Sequence, residues 1–370
     1  MNARTALPLV LAVIAVGCSP APEPESTPAP APAETRPEDP LPADPMPTPT
    51  EANPTPANMT PATDAPPAFA ADDVTVVTWN SGPIFSVADA EARAADFAAL
   101  AADVGPDVVL LQEITSREVA ESVAASMGLP TGPEHVVVSD FNPNDDAEYS
   151  SLEVAILSRY PLTNAVEFDR GTDGNSRPGY PPERKLERVD LEGIADVGVG
   201  RGFLAANAPG LGAAFVVTHL KSSGGRSGDA DRDNARKREI VAAAMAEYVV
   251  EEMKADPDLT VVVGGDFNVG ETDAAKNGRD LADDRTDGYD DTHALMAGGL
   301  VDGLRLRSLT RETGNTYDDT PGDGRFPYPG VGAIDVLYVG GAAEDRFETA
   351  SRGGDTFGSD HYPVRATMRP

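Results

Sequence analysis

Six short strings in this chain place polar residues at the ends of apolar, β-branched runs. Trp79-Asn80 ends the run that begins at Val74, and Gln112-Glu113 ends Val108-Val109-Leu110-Leu111. Thr218-His219 follows Phe215-Val216-Val217, and Asp266-Phe267-Asn268 follows Val261-Val262-Val263 through Gly264-Gly265. Asp335 sits within Ala333-Ile334-Asp335-Val336-Leu337, and Ser359-Asp360-His361 precedes the last apolar run. Any one of these reads equally well as a turn cap. Together they present two Asn, two His and four carboxylates. A hard divalent cation and a phosphate ester need that combination: anionic oxygens for the ion, imidazoles to carry protons and amides to hold phosphoryl oxygens. The single cysteine excludes an intrachain disulfide and a four-cysteine zinc site.

The strings meet only if the runs before them are strands of a common core. Strands are predicted over 74–79, 107–112, 135–138, 152–157, 213–218, 259–263, 334–339 and 363–368, several of them apolar on both faces. Helices are predicted over 88–103, which stops at Gly105-Pro106, over 117–127 behind Ser116 as N-cap, and over 231–254, the longest. Gly/Asp-rich loops are predicted over 169–202 and 270–291, and there is no convincing internal repeat. Helices interleaved with strands that are buried on both sides indicate an α/β domain with covered sheets.

Trp-Asn, Leu-Gln-Glu, His-Leu, Gly-Asp-Phe-Asn, Ile-Asp and a terminal Ser-Asp-His, in that order, resemble the endonuclease/exonuclease/phosphatase superfamily over residues 73–370. The resemblance implies a four-layer α/β sandwich, two mostly antiparallel or mixed β-sheets flanked by helices, and a metal-dependent phosphoesterase. By the same resemblance Glu113 is the main metal carboxylate, Asp360 completes the metal side, and Asn80 hydrogen-bonds beside the ion and the phosphate. The implied ion is Mg²⁺, with Mn²⁺ or Ca²⁺ as alternatives, since oxygen ligands suit hard cations. His361 is implied as general base or acid with Asp335 on its other nitrogen. Asp266 orients the attacking water or the metal shell, Asn268 donates to a phosphoryl oxygen, and His219 contacts the developing charge or protonates the leaving oxygen. Two departures stand out. Ser81-Gly82 follows the Asn where many relatives carry another polar ligand, and Ala333 stands where an Arg before Ile-Asp is common.

The remaining polar residues read more weakly. Arg232, Arg236, Lys237 and Arg238 form the one basic cluster, a solvent-facing helix side or a grip on a nucleic-acid backbone. Arg159, in Leu-Ser-Arg-Tyr-Pro, is structural or touches substrate. His135 and His293 read as structural or surface residues, and the acids at 283, 284, 287, 290 and 291 as a solvated loop. The segment 326–329, Phe-Pro-Tyr-Pro, reads as an aromatic loop that contacts lipid or a base, or packs down.

The first 18 residues read as a signal peptide: Arg4, an apolar run over 7–16, then Ala-Val-Gly-Cys. That ending resembles a bacterial lipobox, which makes Cys18 the lipidated N-terminus of a secreted protein anchored to a membrane on its periplasmic or cell-surface side. Seventeen of the 34 prolines fall between Pro20 and Pro67, and residues 19–72 carry nine acids against Arg36. Such a stretch cannot offset the entropy of ordering a core and reads as a tether. Net charge is −32 for the chain and −25 for residues 73–370, which excludes nucleic-acid binding by bulk charge. A monomer is expected. Three readings of function remain: a nuclease on DNA or RNA, a phosphodiesterase or phosphatase on lipid headgroups or small esters, and a surface binding module without turnover.

Overall fold

The computed structural model describes residues 72–141, 152–169, 179–186, 201–223, 231–272, 290–298, 306–318 and 332–369. Cys18, the tether, the acids at 283–287 and the aromatic segment 326–329 lie outside them. Strands β1 (Val74–Ile84), β2 (Val108–Ile114), β3 (Val136–Val138), β4 (Glu153–Ser158), β12 (Ser351–Arg352) and β13 (Val364–Met368) form one sheet in the order β12-β13-β1-β2-β4-β3. The second sheet comprises β5 (Thr163–Asp169), β6 (Glu183–Lys185), β7 (Phe203–Ala208), β8 (Ala213–His219), β9 (Thr260–Asp266), β10 (Arg307–Ser308) and β11 (Asp335–Gly341), ordered β10-β11-β9-β8-β7-β5-β6.

Alternation along the strands explains the stacking. Val76, Val108, Leu110 and Ile156 of the first sheet share one core with Leu204, Phe215, Val217, Val262 and Leu337 of the second. The opposite face of the first sheet, with Val77, Trp79, Val109 and Leu111, packs on Phe97, Leu100, Val119 and Val123 of the helices. The opposite face of the second, with Val216, Val261, Val263 and Tyr338, packs under Val241, Met245, Val249, Leu295 and Met296. Two sheets face to face with helices outside make the expected four layers. The inner strands are buried on both sides, which is why they read as unbroken apolar runs.

Helices α1 (Val87–Ala92) and α2 (Ala94–Val104) replace the single helix predicted over 88–103, because the chain leaves helical geometry at Arg93 (φ −103°, ψ 10°). Ser116 caps α3 (Arg117–Ser126) by accepting from Val119 N at 3.3 Å. α4 (Arg232–Ala255) covers the second sheet, and a short α5 (Thr292–Met296) falls in what read as the end of a loop. Strands β5, β6, β7, β10 and β12 were also not predicted. Among the described residues no helix is long and apolar enough to cross a membrane.

Arg238 departs from the exposed basic face expected on α4. It is wholly buried, donating to Asp231 Oδ2 at 2.7 Å, to Asp290 Oδ2 at 2.6 Å and to the Lys221 carbonyl at 2.8 Å. Asp290 is therefore a buried ion-pair partner and not part of a solvated acidic loop. His293 is buried too, its ring nitrogens 2.7 Å from the Tyr338 hydroxyl and 2.8 Å from the Val269 carbonyl.

Candidate active site

Strand register assembles half of the site. β8 and β9 are parallel with His219 opposite Asp266, and β11 runs antiparallel to β9 with Asp335 opposite Asp266. Three of the six strings are thus forced side by side across one sheet. Gly265 makes this possible: its φ is +150°, and a Cβ there would lie 2.0 Å from the Thr218 carbonyl oxygen.

The other half comes from the first sheet. Asn80 and Gln112 are register partners on β1 and β2, and both strands slip register just beyond. The slip turns Glu113 into a left-handed backbone (φ +69°), a bulge that re-aims the side chain. Asn80 joins the sheets, its Nδ2 donating to Glu113 Oε1 at 3.2 Å and to Asp266 Oδ2 at 3.0 Å. The Asn80 side-chain oxygen accepts from Gly82 N at 3.0 Å, so in this structure the Asn80 amide braces the two carboxylates and the loop after β1.

His361 arrives from the segment before β13. Trp79 Nε1 donates to its carbonyl at 3.1 Å, and Ser359 Oγ accepts from its N–H at 3.0 Å while donating to the Asn80 carbonyl at 2.8 Å. Its Nδ1 lies 3.1 and 2.9 Å from the two Asp335 oxygens, which fixes the tautomer. Nε2 then faces Asp266 Oδ2 at 3.9 Å and Asp360 Oδ1 at 4.0 Å. Burial lowers the His361 pKa, but Asp335 and Asp266 outweigh it and raise it to about 10. Burial also pushes Asp266 up to about 7 and raises Glu113, against the Asn80 hydrogen bond in both.

His219 Nε2 is 3.4 Å from Asp266 Oδ2 and 3.8 Å from Glu113 Oε1. The guanidinium of Arg201 meets its Nδ1. A guanidinium only donates, so Nδ1 accepts and the proton stays on Nε2. Burial and the Arg201 charge hold His219 well below the ordinary imidazole value. With its proton on Nε2 it can donate a hydrogen bond, which suits the first of its two expected roles, contact with developing charge. Arg201 escaped the sequence reading because it lay in a predicted loop. Arg201 lies two residues before the unpredicted strand β7, whose antiparallel pairing with β8 brings it to His219.

Asn268, also left-handed (φ +56°), donates from its backbone to Asp266 Oδ1 at 2.8 Å and from Nδ2 to the Leu220 carbonyl at 3.0 Å. Arg159 is not brought to the site. It is 52 % exposed, pairs with Asp107 at 2.9 Å and stands at the start of β2, while Glu113 is at its far end. Arg236 is half-buried on the first turns of α4, and Arg232 opens that helix, its side chain outside the described part.

The donor set fits a hard divalent ion. It offers carboxylate oxygens without sulfur, and burial raises Asp266 and Glu113 beyond what their neighbours offset. Among the described residues one group has ligand atoms within 4.8 Å of one another, Asp266, Asp335 and His361. The last two already spend their facing atoms on each other.

Comparison decides what kind of site this is. Residues 77–361 match the Endonuclease/Exonuclease/phosphatase family, spanning all six strings. The chain belongs to that family. With it comes the class of enzyme, a metal-dependent phosphoesterase. No curated protein matches the sequence. Among solved structures, a functionally unknown conserved protein from Enterococcus faecalis is similar at 13 % identity and a TM-score of 0.51, covering 80 % of this chain and all of that one. A 3′ phosphatase, NExo, from Neisseria bound to product DNA hairpin is similar at 18 % identity, covering 80 % of this chain and 100 % of that one, with a TM-score of 0.49. An AP endonuclease from Archaeoglobus fulgidus is similar at 15 % identity, 80 % and 99 % coverage and a TM-score of 0.49.

Proposed function

We propose that this chain is an envelope-tethered, Mg²⁺-dependent phosphodiesterase that cuts the backbone of DNA or RNA. The observation that carries this reading is the meeting of Asp266 with two histidines, His219 at 3.4 Å and His361 at 3.9 Å, the second backed by Asp335. Asp266, within reach of both imidazoles, is placed to take a proton from an attacking water. Asp266 takes that proton as the water oxygen bonds to phosphorus. The P–O bond to the leaving group breaks, and His361 Nε2 delivers its proton to the departing oxygen. Asp335 keeps the imidazolium oriented throughout. His219 Nε2–H and the Asn268 amide donate to phosphoryl oxygens, where negative charge accumulates.

Glu113 and Asp360 would supply the carboxylates for Mg²⁺, with Asn80 holding Glu113 in place, and a cation held there would offer charge neutralisation at the phosphoryl oxygens. Arg232 and Arg236 offer cations to flanking phosphates, which a domain of net charge −25 needs locally. Residues 1–18 act as the signal, 19–72 as the tether from lipidated Cys18, and 73–370 as the catalytic domain. One observation favours lipid headgroup diesters as a second reading. Phe85 and Val87, just past β1, are the exposed large hydrophobics among the described residues, Phe85 at 65 %.

The test is a substrate panel of plasmid DNA, RNA, bis-p-nitrophenyl phosphate and phospholipid vesicles, with Mg²⁺ and with chelator. Cleavage of nucleic acid that needs Mg²⁺ and drops at least 10³-fold in Asp266→Ala and His361→Ala is expected. Undiminished turnover in either variant refutes the assignment. Turnover of vesicles alone moves the substrate to lipid, and none on any substrate leaves a binding module.

A further inference from the structure

Arg93 was no candidate in the sequence, and its place in the fold gives it a task. It caps α1 and opens α2, its N–H bonded to the Asp89 and Ala90 carbonyls and its own carbonyl accepting from Asp96 and Phe97 at 3.0 and 3.2 Å. The backbone is therefore pinned at the junction, and the guanidinium leans over the Phe97 ring, 5.3 Å from its centroid. From there Nη2 donates to the Phe357 carbonyl at 3.3 Å.

Phe357 and Gly358 are the central residues of a tight turn closed by Ser359 N–H to the Thr356 carbonyl at 3.1 Å. Both have positive φ, +52° and +79°, as in a type I′ turn, where Asn-Gly is the favoured pair. Phenylalanine is a poor residue for the first position, since its Cβ crowds the backbone in the left-handed region. Phe357 packs against the helix-side core, and Asp355 Oδ1 accepts from the N–H groups of Thr356 and Phe357 at 2.6 and 3.3 Å, so the carbonyl side of the turn is what the Arg93 bond restrains. The residues that follow directly are Ser359, which ties to Asn80, then Asp360 and His361. Gly358 faces the same helix junction: a Cβ there would lie 2.8 Å from Asp96 Oδ2 and 3.6 Å from Arg93 Nε.

We infer that Arg93 is a positioning residue, a clamp that holds the left-handed Phe357-Gly358 turn so that Asp360 and His361 enter the site in register with Asn80. It touches no reacting atom. This rests on the phosphodiesterase reading only for its kinetic readout.

The test is a cycle in the full chain, Arg93→Ala, Phe357→Asn and both together. Asn at 357 creates the favoured Asn-Gly pair, so it relieves the need for the clamp. With bis-p-nitrophenyl phosphate and Mg²⁺, Arg93→Ala is expected to lower kcat about tenfold with KM within twofold, and Phe357→Asn in that background to restore most of it. Amide hydrogen exchange of a peptide spanning 355–362 reads the same clamp without turnover: faster in Arg93→Ala, slowed again in the double variant. Unchanged exchange in Arg93→Ala, or exchange and kcat that the second substitution does not restore, overturns the clamp. A rise in KM alone also overturns it, since that is the mark of direct substrate contact. If the wild type turns over nothing, the phosphodiesterase reading fails, and exchange alone decides the clamp.

Discussion

His361 and Asp266 deviate in the same direction for opposite reasons, and the signs set their pH behaviour. For His361 a folded pKa near 10, above the ordinary 6.5, means that the Asp335 partnership stabilises the protein fully below about pH 6.5 and fades as pH rises toward 10. Asp335→Asn is expected to lower the His361 pKa, because burial is then less opposed, a change that an NMR titration of the imidazole detects. For Asp266 a folded value near 7, above 3.8, means that ionisation opposes folding, a penalty that grows from about pH 3.8 and is complete above 7. A cation removes that penalty. Mg²⁺ measured by calorimetry is therefore expected to bind more tightly at pH 8 than at pH 6, and chelation to lower Tm more at the higher pH. Glu113 and Asn268, both left-handed without being glycine, are strained residues of the kind that surrounding structure must hold in place.

At the scale of elements, the site depends on how closely β8 and β9 approach. Gly265→Ala puts a methyl group onto the Thr218 carbonyl, and a loss of about 3 kcal/mol in a urea unfolding curve is expected. The tie between α4 and the segment after β8 is Arg238, buried between Asp231 and Asp290. Arg238→Ala leaves two buried carboxylates without their cation and is expected to cost about 3–5 kcal/mol by the same measurement. The longest runs were readable from sequence: β1, β2, β8, β9, β13, α3 and α4 lie within a few residues of where periodicity puts them. Strands β10 and β12, two residues each, are too short to show a period, and β7 reads Phe-Leu-Ala-Ala-Asn-Ala, where small residues blur alternation. The break between α1 and α2 is equally silent, since alanine-rich sequence favours helix on both sides of Arg93.

Across the whole molecule, net charge bears on which substrates can approach, and the proposed anchor on where they meet the site. A body of −25 repels a polyanion, so DNA retention on a gel is expected to need divalent metal and to vanish with chelator. If Cys18 carries the lipid, Cys18→Ser is expected to move activity from the membrane fraction to the soluble one with kcat unchanged, as fractionation followed by assay shows. Mass spectrometry of the mature N-terminus checks the same point, and a free thiol there removes the anchor.

Residue types and their order were enough to determine the family and the α/β class, and they named eight side chains that the fold brings together, because strand-end motifs are local and short. What each does was decided by contacts between residues far apart in the chain. Asn80 proved to be a brace, since its amide reaches Asp266 186 positions away. His219 proved neutral, because a strand that periodicity could not reveal carries Arg201 onto it. Arg159 proved remote, because β2 puts it at the wrong end. A protonation state depends on burial and on neighbouring charge, and neither exists until the sheets have stacked.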